Sequence, residues 1–269
     1  MSGPAITITA LVAVHDDHAY LPNCLHHLIR NGIQYAVVDN SLGDSVALIL
    51  DDSRIKQNLR AVVRLAHTGR FVLKEQLATK QELAESIESD WFLHVDVDEV
   101  MHSCRPGETL AQAIARLDAH GFNVINFDEF VFLPVEVDYD PEICVYQAMR
   151  HYYFFEPFSP RLMRAWKRMP SLSNVPSGGH VLVGDKLKLA EESLALRHYI
   201  FRDQRHAYQK YLRRRYSDEE LAMGWHLNHV GFAEGNFTFP DISLLESLAA
   251  PGGRNLVKSS PHRKHYWEW

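Results

Sequence analysis

Three carboxylates crowd the end of one apolar run in this chain: Asp96, Asp98 and Glu99, within "WFLHVDVDEVM" at 91–101. Like charges at such spacing repel, so either the segment lies open to water or a cation answers them. Asp96 and Asp98 are two residues apart. On a continuing strand they share a face, and in a turn they can converge on a single ion. Paired carboxylates suit a hard divalent cation such as Mg2+ or Mn2+, which keeps coordination sites open for phosphate oxygens. A solvated acidic loop without a ligand is the plainer reading of the same residues.

The elements around these acids decide between the two. Trp91 to Val95 reads as a strand covered on both faces. Upstream, the β-branched run Ile6 to Val14 is a first strand. It is followed by a helix carrying Leu21, Leu25, Leu28 and Ile29, which stops at Asn31–Gly32. "QYAVVDNS" is a second strand, "DSVALILDD" a helix with Asp44 as its cap, and Ala61 to Leu65 a third strand. A helix covers about 71–88 before the acidic strand. After it come a helix in "GETLAQAIARLDAHG", closed by Gly121, and a strand in "FNVINFDEFVFLP". Alternating strands and helices predict an α/β fold with a mostly parallel sheet flanked by helices. In such sheets ligands bind beyond the carboxyl ends of the strands. Three of those ends are polar here: His15 to Asp17, Asp39 to Asn40, and Asp96 to Glu99.

Past about Pro134 the pattern changes to short aromatic segments such as "HYYFFEPF", which reads as core packing or as a surface on which a ligand stacks. The loop "PSLSNVPSGGH" follows. This part is expected to be antiparallel and irregular. "RDQRHAYQKYLRRRYSDEELAMGWH" then predicts one or two helices with a basic face, on which Arg213, Arg214 and Arg215 are most simply solvated. No linker or repeat marks a boundary, so residues 1–269 form one domain, with halves of about 1–133 and 134–269. The 46% hydrophobic and 23% charged content is that of an ordinary globular protein. A net charge of −6 argues against nucleic acid as a partner. Three distant cysteines exclude a disulfide framework and favour the cytoplasm. The opening "AITITALVAV" is too short to span a membrane, and no later run is long enough. Peripheral contact at the inner membrane face is compatible with this.

The order of these segments resembles glycosyltransferases of the family-2 type, in particular a bacterial branch related to the family-92 type. That branch opens with a strand, a polar turn and "YLxEWLxHHxxxGV", here "VHDDHAYLPNCLHHLIRNGI". Its "hhhhDNxSxD" is matched by "YAVVDNSLGD", and its "DWhhxhDhDEFh" by "DWFLHVDVDEVM". "SGGHVLV", "LRHYIFRDQRHAYQKYLRRRYS" and "MGWHL" match its later motifs. The likeness runs over residues 6–229.

The resemblance implies the GT-A fold and transfer of a sugar, with inversion, from a nucleoside diphosphate (UDP in the first place) to an acceptor hydroxyl. Val14, His15, Asp17 and Asp39 would line the nucleotide pocket, although Asp39 also reads as a turn acid. Asp96 would face the ribose or the metal, and Asp98 would bind Mn2+ or Mg2+ directly. His198 would be a further metal ligand, with a satisfied core histidine as the plainer reading. Gly179 and His180 would approach the sugar. Arg202 and Lys210 would neutralise the diphosphate, and Glu99 would brace the loop or meet the acceptor. The base is the weakest assignment. Glu129 or Asp128 in "NFDEF" comes first, and Asp185 stands behind them. The acceptor, a glycan or a small molecule, is not legible. Trp267 and Trp269 at the end call for cover, either by folding back over the site or by burial in a homodimer. A metal-dependent nucleotidyltransferase and a catalytically inactive binding protein are the rival readings. The lack of glycine in "VAVHDDH" counts against the first, and the intact Asp96 and Asp98 against the second.

Overall fold

The computed structural model describes residues 6–15, 17–135, 144–233, 238–250 and 252–269. Asp16, part of the first polar strand end, lies outside them. Strand β1 (Ile8–Val14) is buried along its whole length, as its unbroken apolar run requires. It pairs in parallel with β2 (Gln34–Asp39) on one side and with β4 (Trp91–Asp96) on the other, and β2 pairs in parallel with β3 (Leu59–Arg64). Register places Val14 opposite Asp39 and Ala13 opposite Asp96, which brings the three polar strand ends to one edge. Between these strands run helices α1 (Leu21–Arg30), α2 (Ser45–Leu50), α3 (Ser53–Lys56) and α4 (Leu73–Ser86). Asp44 sits at the start of α2 without capping it through its side chain. It pairs instead with Arg64 at 3.0 Å.

The acidic segment does not end the strand system, as the sequence suggested. It turns at Val97–Asp98 and continues as β5 (Glu99–His102). Helix α5 (Leu110–Ala119) follows, opened by a capping box of Thr109 and Gln112. Strand β6 (Val124–Phe132) then pairs antiparallel with β7 (His151–Phe155) and β8 (Leu162–Lys167). A short helix, α6 (Val145–Ala148), precedes β7. Strand β8 joins the two halves by pairing antiparallel with β4. Strand β9 (Leu194–His198) runs parallel to β6 and antiparallel to β5, setting His198 opposite Glu99. The two-residue β10 (Glu246–Ser247) closes the β7 edge. The chain is thus a mixed α/β structure with one helix-flanked sheet, as expected, parallel in its first half and mostly antiparallel in its second.

The "HYYFF" segment is core: Tyr152 and Tyr153 are fully buried, and Phe132 stacks on Tyr152 at 5.1 Å. After β9, α7 (Gln204–Ala207) runs directly into a π-helical turn at 208–212, and α8 (Asp218–Ala222) follows. The tail folds back on this region. Trp267 packs against Phe232 at 5.5 Å and His265 at 4.4 Å, while Trp269 remains 44% exposed. No helix of the described residues is long and apolar enough to cross a membrane.

Candidate functional site

The carboxyl ends of β1 and β4, together with β5, β6, β8 and β9, surround a cleft of about 220 Å³. The acids of the opening motif line it, and the protein answers each of them with its own cations. Asp96 receives Lys80 at 3.2 Å and Arg164 at 3.3 Å, with His94 3.5 Å away. Burial raises its pKa, yet these neighbours outweigh burial and hold it well below the usual carboxylate range. Glu99 is buried. It accepts the Asp96 backbone N–H at 3.1 Å and Arg164 at 2.6 Å, so it braces the loop. Asp98 accepts Lys210 at 2.6 Å. Burial pushes its pKa up, but Lys210 and His198 pull it down to about 2. Asp17 holds His206 at 2.8 Å and Lys210 at 3.3 Å, with Arg214 3.7 Å away.

His198 lines the cleft rather than resting in the core. Its Nδ1 lies 2.7 Å from Glu129 Oε1, and its Nε2 lies 3.5 Å from Asp98 Oδ2. Arg161 grips the other Glu129 oxygen. A carboxylate behind one imidazole nitrogen, with the second nitrogen turned toward an ionised Asp, is the order found around protein-bound metals. The separation of 3.5 Å also suits two ligands of one ion better than a hydrogen bond. Lys210 Nζ on Asp98 shows that this carboxylate already takes a positive charge from outside its own strand. Asp98 and His198 are donors of the kinds a divalent ion takes, but Lys210 already occupies the Asp98 oxygen that faces His198. Asp96 faces Lys80 and Arg164 instead, and no three such side chains gather as a ready cage among the described residues.

A second concavity of about 340 Å³ adjoins the cleft through His15, Asp17, Phe71, Lys210 and Arg214. Arg202, Arg213 and Arg215 complete its basic wall. The three consecutive arginines thus border a recess instead of forming only a solvated face. His15 stacks on His67 at 5.4 Å and meets Phe71 edge-on at 5.1 Å. Lys210 sits on the π-helical turn, a distortion found often at functional sites.

Several expected residues lie elsewhere. Val14 is fully buried, and its neighbours Ala13 and His15 reach the cleft. Asp39 lies at the expected edge but accepts the Ser41 N–H at 2.9 Å, which is the turn role. Asp128 points away from Glu129, as alternation on β6 demands, and pairs with Lys258 outside the cleft. Asp185 is exposed on a loop and does not line the cleft. Of the three candidate bases only Glu129 borders the site. Gly179 packs against His94, and a Cβ there would stand 3.2 Å from its ring. His180 borders the cleft with its Nδ1 buried and unpartnered, and burial drives its pKa to about 3. Sequence reasoning missed Lys80, Arg161, Arg164 and Arg214. Arg164 alone left a signal, as one arginine inside the apolar "LMRAW".

No family model and no curated protein matches the chain. Among solved structures it is similar to S. aureus TarS 1–349, at a TM-score of 0.43 and 15% identity over 72% of this chain and 60% of that one. A longer TarS structure gives 0.43 and 12%, over 86% and 41%. The mannosyltransferase PcManGT from Pyrobaculum calidifontis, in complex with GDP-Man and Mn2+, gives 0.33 and 16%, over 45% and 35%. The chain thus spans less than two thirds of the length of any of these three.

Proposed function

We propose that this chain is a family-2-type glycosyltransferase that moves a sugar from a nucleoside-diphosphate donor, with UDP as the nucleotide, to an acceptor hydroxyl with inversion. The observation that carries this reading is the junction of the basic recess with the acid–histidine cleft, made by Lys210 and Arg214. A diphosphate needs concentrated positive charge, and the departing diphosphate needs more of it than the bound donor does. Lys210, Arg214 and Arg202 supply that charge from fixed positions. Asp17 and His206 hold Lys210 and Arg214 in place. Asp98 and His198 are the residues that would hold Mn2+ or Mg2+, which when bound adds positive charge to the diphosphate.

Inversion needs one proton acceptor and no covalent intermediate. Asp96, whose side chain is 41% exposed, is the cleft carboxylate an acceptor hydroxyl can reach. Lys80 and Arg164 keep it ionised, the form a proton acceptor needs, while lowering its basicity. Glu129 is only 4% exposed, and its bond to His198 fits a role in orienting that ring. With a nucleotide sugar as donor, the proposed setting is the cytoplasm.

The test is a screen of nucleotide sugars with Mn2+ present, read as released nucleoside diphosphate. Release that falls at least 100-fold in Lys210→Met supports the proposal. Release of pyrophosphate would point to nucleotidyl transfer, and no binding of any nucleotide sugar would overturn an enzyme of this kind.

A further inference from the structure

We infer that a second ligand site lies behind the cleft, shaped for a small, neutral, ring-bearing molecule with one polar edge. Helix α4, strands β4 and β8 and the segment 168–174 enclose a cavity of about 490 Å³. That is larger than the cleft and lies within the roughly 300–1,000 Å³ usual for small-molecule sites. It is partly open to the surface, so a small molecule can enter it.

The wall defines the chemistry of that occupant. Phe92 and Trp166 lie 6.2 Å apart at 33°, and Ala84, Met169, Leu172 and Leu182 complete an apolar surround that suits a flat body. Ser171 and Asn174 offer hydrogen-bonding groups for the polar edge. Of the wall's charges, the buried Lys80 is fully engaged. Lys80 Nζ donates to Val95 O at 3.0 Å, Asp96 Oδ1 at 3.2 Å and His94 Nε2 at 3.2 Å, which uses all three of its N–H groups. At the rim Arg168 donates to the Glu85 carbonyl at 3.1 Å, and the Glu85 carboxylate beside it has the opposite sign. An anion deep in the cavity would have to break the bonds of Lys80, whereas a neutral ligand would not.

Among the described residues, His94 alone borders both this cavity and the cleft. Its ring stands between Asn174 on the cavity side, 3.2 Å from Nδ1, and Asp96 on the cleft side. The occupant would therefore rest one side chain away from the cleft without entering it.

The full chain titrated with the neutral probe N-phenyl-1-naphthylamine tests this. Fluorescence should rise and saturate at one probe per chain. Tryptophan emission should be quenched, and Trp166→Phe should remove most of that quenching while leaving the probe bound. Ala84→Phe, which fills the cavity from α4, should weaken binding at least tenfold. Met169→Trp, placed on the loop wall, serves the same purpose if the helix variant misfolds. Absence of saturable binding, or binding unchanged by a folded filling variant, would overturn the site. Tighter binding of the anionic 1-anilinonaphthalene-8-sulfonate would overturn its neutrality.

Discussion

At the scale of single residues, the acids of "DVDE" are defined less by their spacing than by which cation each one meets. Arg164 serves both Asp96 and Glu99 from a strand where it is itself 6% exposed. Arg164→Met should destabilise the fold by about 3–5 kcal/mol, because the buried Glu99 carboxylate loses its partner. Denaturant unfolding reads this directly. Lys258→Met, which removes a half-exposed partner of Asp128, should cost no more than about 1 kcal/mol. Equal losses for the two would mean that Arg164 is not the organising charge. Glu129→Gln addresses the cleft instead. It keeps the shape and the bond to His198 but removes the carboxylate, so Mn2+ affinity should fall by about 10- to 100-fold. Electron paramagnetic titration of free Mn2+ checks this, and an unchanged affinity would return Glu129 to the list of candidate bases.

At the scale of elements, the parallel half was legible because its signals are local. The buried runs at β1, β2 and β4 and the polar residues just beyond them declare a sheet and its ligand edge. β5 was not legible. Its four residues are strand only because β9, nearly a hundred positions later, pairs with them in the register that sets Glu99 opposite His198. The partners of the acids were hidden for the same reason. Lys80 looks like one more solvated lysine on a polar helix until α4 packs that face against β1 and β2. Asp96, Asp98 and His198 could be named as candidate ligands from the family resemblance, whereas Lys210 closing on Asp98 depends on where α7 and its π-helical turn fold back. The glycine pair after the loop is a sharper case. Gly179 has φ +88°, and a Cβ would stand 3.1 Å from Leu77 and 3.2 Å from His94. Gly43, at φ +82°, would meet nothing within 4 Å. Gly43→Ala should therefore cost about 1 kcal/mol for backbone strain alone, and Gly179→Ala about 2–3 kcal/mol, since packing must also shift. Thermal unfolding of the two variants separates these terms, and equal costs would remove the packing argument at Gly179.

At the scale of the whole molecule, the sixteen histidines shape the pH response more than the acids do. Burial, the largest cause in each case, drives His27 to about 4 and His94, His102, His180, His229 and His265 to about 3. Each is neutral in the fold but takes up a proton near pH 6.5 once unfolded. Acid therefore favours the unfolded chain. The stability that each of these histidines contributes is present above pH 6.5 and is lost as pH falls from there toward 3 or 4. Between pH 7 and 5 the loss is roughly 2 kcal/mol for one such histidine. Only a few need to behave this way to exhaust a typical stability of about 5–15 kcal/mol. His198 acts in the opposite sense. Burial lowers its pKa, but Asp98 and Glu129 overcome that and raise it to about 10. Its contribution is complete below pH 6.5 and disappears as pH rises toward 10. Asp98, at about 2, gives stability that is present above about pH 3.9 and fades only below that, so it does not soften the fall between pH 7 and 5. Stability should therefore peak near pH 6.5–7.5, with the steeper flank on the acid side. Thermal unfolding from pH 5 to 9 checks this, and a midpoint that stays flat down to pH 5 would mean that the buried histidines are already protonated in the fold.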